Sequence, residues 1–199
     1  MKLTFYLVVV NFVFFILQSL SPLVTETLGL VTPVALSGAY WQFITYMFMH
    51  ANPFHIFINM FVLLIFGIAV EDSLGARKYL FLYFVSGIGS AVLYMLLTIG
   101  AAEAILIGAS GAVFGVVAAY GFLFPKNYIL VFFIPVPAMI AVILLALAEI
   151  LFGVFGLQAG VANFGHLGGM ITASALMLIW RYQKKKIPVE DRTFEFIWE

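Results

Sequence analysis

The sequence predicts an all-α polytopic membrane protein, a bundle of six transmembrane helices with an interfacial first loop. Three observations carry this expectation. The 199 residues are 65% hydrophobic and 9% charged, with a mean hydropathy of +1.17, whereas soluble domains average about 45–50% apolar and about 25% charged residues. Six separate apolar stretches approach the ~20 residues that a bilayer core requires of a helix. With six spans, every Lys and Arg also falls on one side of the membrane. The same composition excludes several function classes. Nine Lys+Arg balance nine Asp+Glu, leaving no basic field for nucleic acid. The absence of cysteine removes disulfides, thiolate metal sites and a Cys nucleophile. A 17% aromatic content with so few charges argues against intrinsic disorder.

The first stretch runs roughly over residues 3–20. Lys2 ahead of an apolar run also suits a signal peptide, but no small-x-small cleavage site clearly follows, so a helix is expected. Residues 21–49 are long for a loop and not very polar. Tyr40, Trp41, Phe43, Tyr46 and Phe48 suit the membrane–water interface, and an ordinary extracytoplasmic loop fits the composition equally well. The second stretch, about 54–70, stops at Glu71-Asp72. The third covers about 79–100, and the fourth about 105–124, closed by Pro125-Lys126. Phe132 to Pro137 reads as an apolar lead-in broken by Pro135 and Pro137, so the fifth helix is expected over about 137–155. The sixth, about 164–180, ends at Arg181. Residues 1–180 thus form one membrane domain, followed by a short tail at 181–199. Lys2, Arg77, Lys78, Lys126, Arg181, Lys184, Lys185, Lys186 and Arg192 share one side, so the positive-inside rule puts both termini and the tail in the cytoplasm. No internal repeat is visible, which argues against inverted-repeat transporters.

Polar groups at membrane depth are costly and mark either function or specific helix contacts. His55 and Asn59, four residues apart on the second helix, project from one face, with His50 just before it. Taken alone they form a polar stripe of the kind that joins neighbouring helices. Ser110 stands in Gly108-Ala109-Ser110-Gly111 near the start of the fourth helix. There Gly111 and Gly115 signal close packing, and a serine at a helix start is ordinary capping chemistry. His166 lies near the start of the sixth helix, with Gly169 and Ala173 on the same face. Small residues on both helices would let the Ser110 hydroxyl and the His166 imidazole meet, since both enter from the extracytoplasmic side at similar depth. Glu149, deep in the fifth helix, has no obvious partner in the sequence. A protonated, hydrogen-bonded carboxyl is its plainest reading, with a proton pathway as the alternative.

Together these motifs resemble the rhomboid family of intramembrane serine proteases. The resemblance rests on His50, His55 and Asn59 (His-x4-His-x3-Asn), Gly108 to Gly111 (Gly-x-Ser-Gly), and His166 with Gly169 (His-x-x-Gly), in the family's order and on its helices. It implies a rhomboid-like six-helix fold and a Ser–His dyad with no acidic third member. Ser110 would be the nucleophile and His166 the general base and then acid. The Ser110 backbone N–H, His55 and Asn59 would be the oxyanion donors. His50, Gly108, Gly111, Phe114 and Gly169 would support them. Phe114 replaces a frequent tyrosine stacked on the imidazole, Gln42 stands after Trp41 where Arg is familiar, and Ala173 stands where glycine is frequent. No cofactor and no metal are implied.

The expected activity is peptide-bond hydrolysis in or near transmembrane segments of other membrane proteins. The bilayer and those segments would be the partners, and nucleic acid would not. Substrate would enter beside the fifth helix, with mobility sought at Pro135–Pro137 and Gly156–Ala162. The alternatives are an inactive relative that binds transmembrane clients or, further off, a small proton-coupled transporter. Compact size and no organellar extension suggest a prokaryotic plasma membrane, with the site opening to the extracytoplasmic side.

Overall fold

The computed structural model describes residues 2–97, 105–131, 133–157 and 162–186, the last five by backbone alone. The described elements are α1 (Leu3–Leu20), α2 (Pro22–Leu28), α3 (Thr32–Leu36), α4 (Gln42–Thr45), α5 (Pro53–Leu74), α6 (Ala76–Leu97), α7 (Ser110–Leu123), β1 (Tyr128–Val131), β2 (Ile134–Pro137), α8 (Ala138–Phe155) and α9 (Asn163–Lys186). α1, α5, α6 and α8 are each long and apolar enough to cross a membrane. Their outward faces are studded with exposed Phe, Ile, Leu and Val, as lipid-facing surfaces are. Helix ends follow from local chemistry. Asn52 caps α5 by accepting from the His55 N–H at 2.8 Å, and Pro53 opens the first turn. Gly75, at φ +77°, ends α5, and Gly156 ends α8 in the left-handed conformation. The N-terminus of α1 is capped from a distance: the Glu71 carboxylate accepts from the Leu3 and Thr4 N–H groups at 2.8 and 3.0 Å. A negative charge suits that helix end.

The bundle is closest-packed where side chains are smallest. A Cβ placed on Gly169 of α9 would run into the Gly111 carbonyl of α7, so these two backbones are in direct contact. On the other side of α7, Ser90 and Ser86 of α6 occupy the space beside Gly111 and Gly115, and Thr172 of α9 fills that beside Gly89. α7 is thereby gripped between α6 and α9, and its own Ala112, Val113, Val116 and Ala119 are buried. Contacts at one end of the bundle gather basic residues. Lys2 pairs with Asp72, and Lys78 lies 5.5 Å over the Trp180 ring.

The structure corrects the sequence reading in several places. The fourth helix begins at Ser110 rather than near residue 105. Residues 105–109 are not helical: Leu30 and Leu106 form an isolated antiparallel bridge (N···O 3.0 and 2.9 Å), and the Gly108 N–H donates to the Tyr46 carbonyl at 3.0 Å. Gly108 stands at φ +125°, which no helix can continue through. The proline-broken segment before the fifth helix is half of an antiparallel hairpin in which Tyr128 faces Pro137 and Val131 faces Ile134. Prolines are tolerated in such a two-stranded edge. α9 continues past Trp180 to Lys186. The expected end of the third helix near Gly100, most of the Gly156–Ala162 link and the tail beyond 186 lie outside the described residues.

The first loop is three short helices and a 3-10 turn. Tyr40 and Trp41 are exposed, but Tyr46 is fully buried and donates from its hydroxyl to the Gly87 carbonyl at 2.7 Å. Gln42 is 1% exposed. It donates to the Thr27 carbonyl (3.2 Å) and accepts from the Val31 N–H (3.1 Å). Its amide thus offers both a donor and an acceptor, where an arginine would only donate.

Candidate active site

Ser110 is the first residue of α7. Its backbone N–H therefore belongs to the first turn, whose donors have no partner inside the helix. The Gly169–Gly111 contact brings the start of α9 against this turn, and His166, one turn before Gly169, faces the serine. The distance from His166 Nε2 to Ser110 Oγ is 2.8 Å, within hydrogen-bond reach for a nucleophile and its base. Phe114, one turn after Ser110, stacks on the imidazole with ring centres 4.3 Å apart and planes 10° apart. This contact holds the ring's plane.

The α5 residues approach from the opposite side. A Cβ on Gly108 would lie 2.8 Å from His55 Cε1, 2.9 Å from its Nε2 and 3.6 Å from Ser110 Oγ. Gly108 is thus required twice, by its positive φ and by the ring against it. The tautomer of His55 follows from its other nitrogen: Nδ1 accepts from the Ala51 N–H at 3.3 Å, which leaves the proton on Nε2, on a ring that lines the same cavity as the serine. Asn59 Nδ2 donates to the His55 carbonyl at 2.9 Å and retains a second N–H.

His50 is fully buried behind these groups. Its backbone is bracketed by Gln18, which donates to its carbonyl at 2.6 Å and accepts from its N–H at 2.8 Å. Its ring meets His55 edge to face, with centres 5.0 Å apart. Burial, and secondarily the neighbouring His55, pushes the His50 pKa down to about 3, so it stays neutral at ordinary pH.

Ser110, His166, His55 and Asn59 all line one cavity of about 830 Å³, bounded also by Phe152 and Phe114. Chemically, this set can remove a hydroxyl proton and offer N–H donors to an oxygen that gains charge nearby. Among the described residues, no group of three or more His, Cys, Asp or Glu side chains could hold a metal ion.

Two residues beside the pair were not assigned to the site from the sequence. Glu149 of α8 has partners after all. Its Oε2 accepts from Asn163 Nδ2 at 2.8 Å and lies 3.1 Å from His166 Nδ1. The signal available was an isolated acid within an apolar span, which gives no indication of which helix it faces.

The fold and cavity define a class: polytopic helical membrane proteins with a hydrogen-bonded serine and histidine enclosed among their helices. Residues 37–183 match the family model described as Rhomboid domain. Among curated proteins, RHOMBOID-like protein 6, mitochondrial, of Arabidopsis thaliana is 31% identical over 139 residues, covering 70% of this chain and 43% of that protein. Rhomboid protease AarA of Providencia stuartii is 28% identical over 191 residues, covering 79% of this chain and 62% of that protein. Rhomboid protein 1, mitochondrial, of Saccharomyces cerevisiae is 38% identical over 93 residues, covering 45% of this chain and 27% of that protein. This chain belongs to the rhomboid family and is an integral membrane protein. It spans about two fifths of the length of the Arabidopsis relatives it matches.

Proposed function

We propose that this protein is an intramembrane serine endopeptidase that hydrolyses peptide bonds in or near transmembrane segments of other membrane proteins. The observation that carries the reading is the 2.8 Å contact of Ser110 Oγ with His166 Nε2, on a cavity into which His55 presents an N–H. His166 takes the Ser110 proton as Oγ bonds to the scissile carbonyl carbon. The carbonyl oxygen, now charged, accepts from the Ser110 N–H, His55 Nε2–H and the second N–H of Asn59. The imidazolium then protonates the departing amine, which leaves an acyl-enzyme. Water, deprotonated by the same imidazole, bonds to the acyl carbon; the bond from that carbon to Ser110 Oγ then breaks, the new acid departs and the imidazolium returns its proton to Oγ.

Depth supports an intramembrane substrate. The 14 residues of α7 rise only about 21 Å, short of the ~30 Å hydrocarbon core, so Ser110 sits below the surface rather than at it. A substrate helix keeps its peptide groups in internal hydrogen bonds, so the cleaved stretch has to unwind first, and helix-breaking residues favour that. The gathered basic end supports both termini, and the tail from 181, being cytoplasmic, with the cavity opening on the opposite side. A prokaryotic plasma membrane is the setting proposed.

The test is cleavage of a transmembrane reporter in detergent. Ser110→Ala and His166→Ala should each abolish cleavage while the protein still folds, and a fluorophosphonate should label Ser110 in the wild type. Full activity in either variant would refute the reading.

A further inference from the structure

We propose that Glu149 is a positioning residue that completes a Ser110–His166–Glu149 relay, making this site a triad and not a bare Ser–His pair. The proposal rests on the serine-protease reading above and deepens it. Glu149 is 6% exposed within an apolar helix, where a carboxylate is costly unless donors face it. Its Oε2 receives both Asn163 Nδ2 at 2.8 Å and His166 Nδ1 at 3.1 Å. Asn163 opens α9, so the carboxylate also lies at a helix end that favours negative charge. The same α8 face carries Gly153, whose missing Cβ leaves room for the Phe164 ring; a Cβ there would stand 3.0 Å from it. α8 therefore seats Glu149 against the first turn of α9 by shape as well as by hydrogen bonding.

The chemical consequence concerns one proton. A carboxylate at Nδ1 holds the imidazole proton there, so Nε2 presents its lone pair to the Ser110 hydroxyl. When Nε2 takes the serine proton, the imidazolium that forms is held and stabilised by the Glu149 oxygen at Nδ1. When Nε2 passes the proton to the leaving amine, the ring returns to its starting tautomer. The charged and titratable groups facing His166 are Glu149 from α8 and His55 from α5, with Ser110 of α7 at Nε2. Only Glu149 supplies an acceptor at Nδ1 among the described contacts.

The experiment uses the full chain in detergent. Cleavage of the transmembrane reporter is measured for wild type, Glu149→Gln, Glu149→Asp and a Ser110→Ala blank. In parallel, spectra of protein labelled with ¹⁵N in its histidine rings follow the Nδ1 proton of His166. Glu149→Gln keeps the shape and removes the charge. It should lower kcat by on the order of 10²–10⁴-fold, the scale of losing the acid of such a relay, with KM within about twofold. Glu149→Asp should recover part of the rate. The wild-type spectrum should show His166 protonated at Nδ1 with a low-field proton that Glu149→Gln removes. A purely structural role for Glu149 would not move that signal. If Glu149→Gln keeps kcat within about threefold of wild type, or leaves the His166 signal unchanged, the assignment is overturned and the protease reading stands. If the wild type shows no Ser110-dependent cleavage, the protease reading fails. The spectrum then decides alone whether Glu149 holds the Nδ1 proton.

Discussion

In the proposed site His55 and His166 line one cavity with Ser110 and carry opposite tautomers, each set by the neighbour of Nδ1. The Ala51 N–H at His55 Nδ1 makes Nε2 a donor, suited to a developing oxyanion. The Glu149 carboxylate at His166 Nδ1 makes Nε2 an acceptor, suited to a hydroxyl proton. A prediction separates the α5 residues. His55→Ala should lower kcat by about 100- to 1000-fold, the usual cost of one oxyanion donor, while KM changes little. Asn59→Ala should reduce kcat less, because one of its N–H groups is already committed to the His55 carbonyl. Steady-state kinetics on the reporter checks both. A rise in KM alone would make these side chains substrate-binding or packing groups.

Between helices, the site depends on how closely α7 and α9 approach. Gly169 against the Gly111 carbonyl leaves no room for a methyl group. That contact, more than the hydrogen bond, brings Ser110 to His166. Gly169→Ala should therefore destabilise the protein by about 1–3 kcal/mol, the usual cost of overpacking. It should also reduce cleavage by separating the pair. Thermal unfolding in detergent together with the reporter assay tests this; wild-type stability and activity would show that the backbones have slack. The first loop acts on the same site from outside. Its Leu30 and Tyr46 backbones pin residues 106 and 108, and buried Gln42 stitches the loop to itself. The replacement of the familiar arginine thus leaves a bonded loop.

For the molecule as a whole, the lack of cysteine makes orientation directly measurable. Ser37→Cys in the first loop should react with a membrane-impermeant maleimide on intact cells. Lys126→Cys, between α7 and β1, should react only after permeabilisation. The reverse pattern would turn the proposed topology over and place the cavity on the cytoplasmic side.

Much of this architecture was legible before any coordinates, because hydropathy and charge act locally. Apolar runs, the basic residues between them and the spacing of His55 to Asn59 are properties of contiguous chain, as are the glycines around Ser110 and His166. They were enough to indicate the fold class and the family resemblance. Other features depend on contacts between residues far apart in the chain. The non-helical segment before Ser110 exists because Leu30 supplies its hydrogen bonds from the first loop. The proline segment pairs because a second strand lies beside it. Glu149 reaches His166 Nδ1 through the rotation of α8 about its own axis. That rotation is set by packing of Gly153 on Phe164, and hydropathy carries no record of it: a carboxylate turned toward lipid and one turned toward an imidazole occupy the same place in an apolar run.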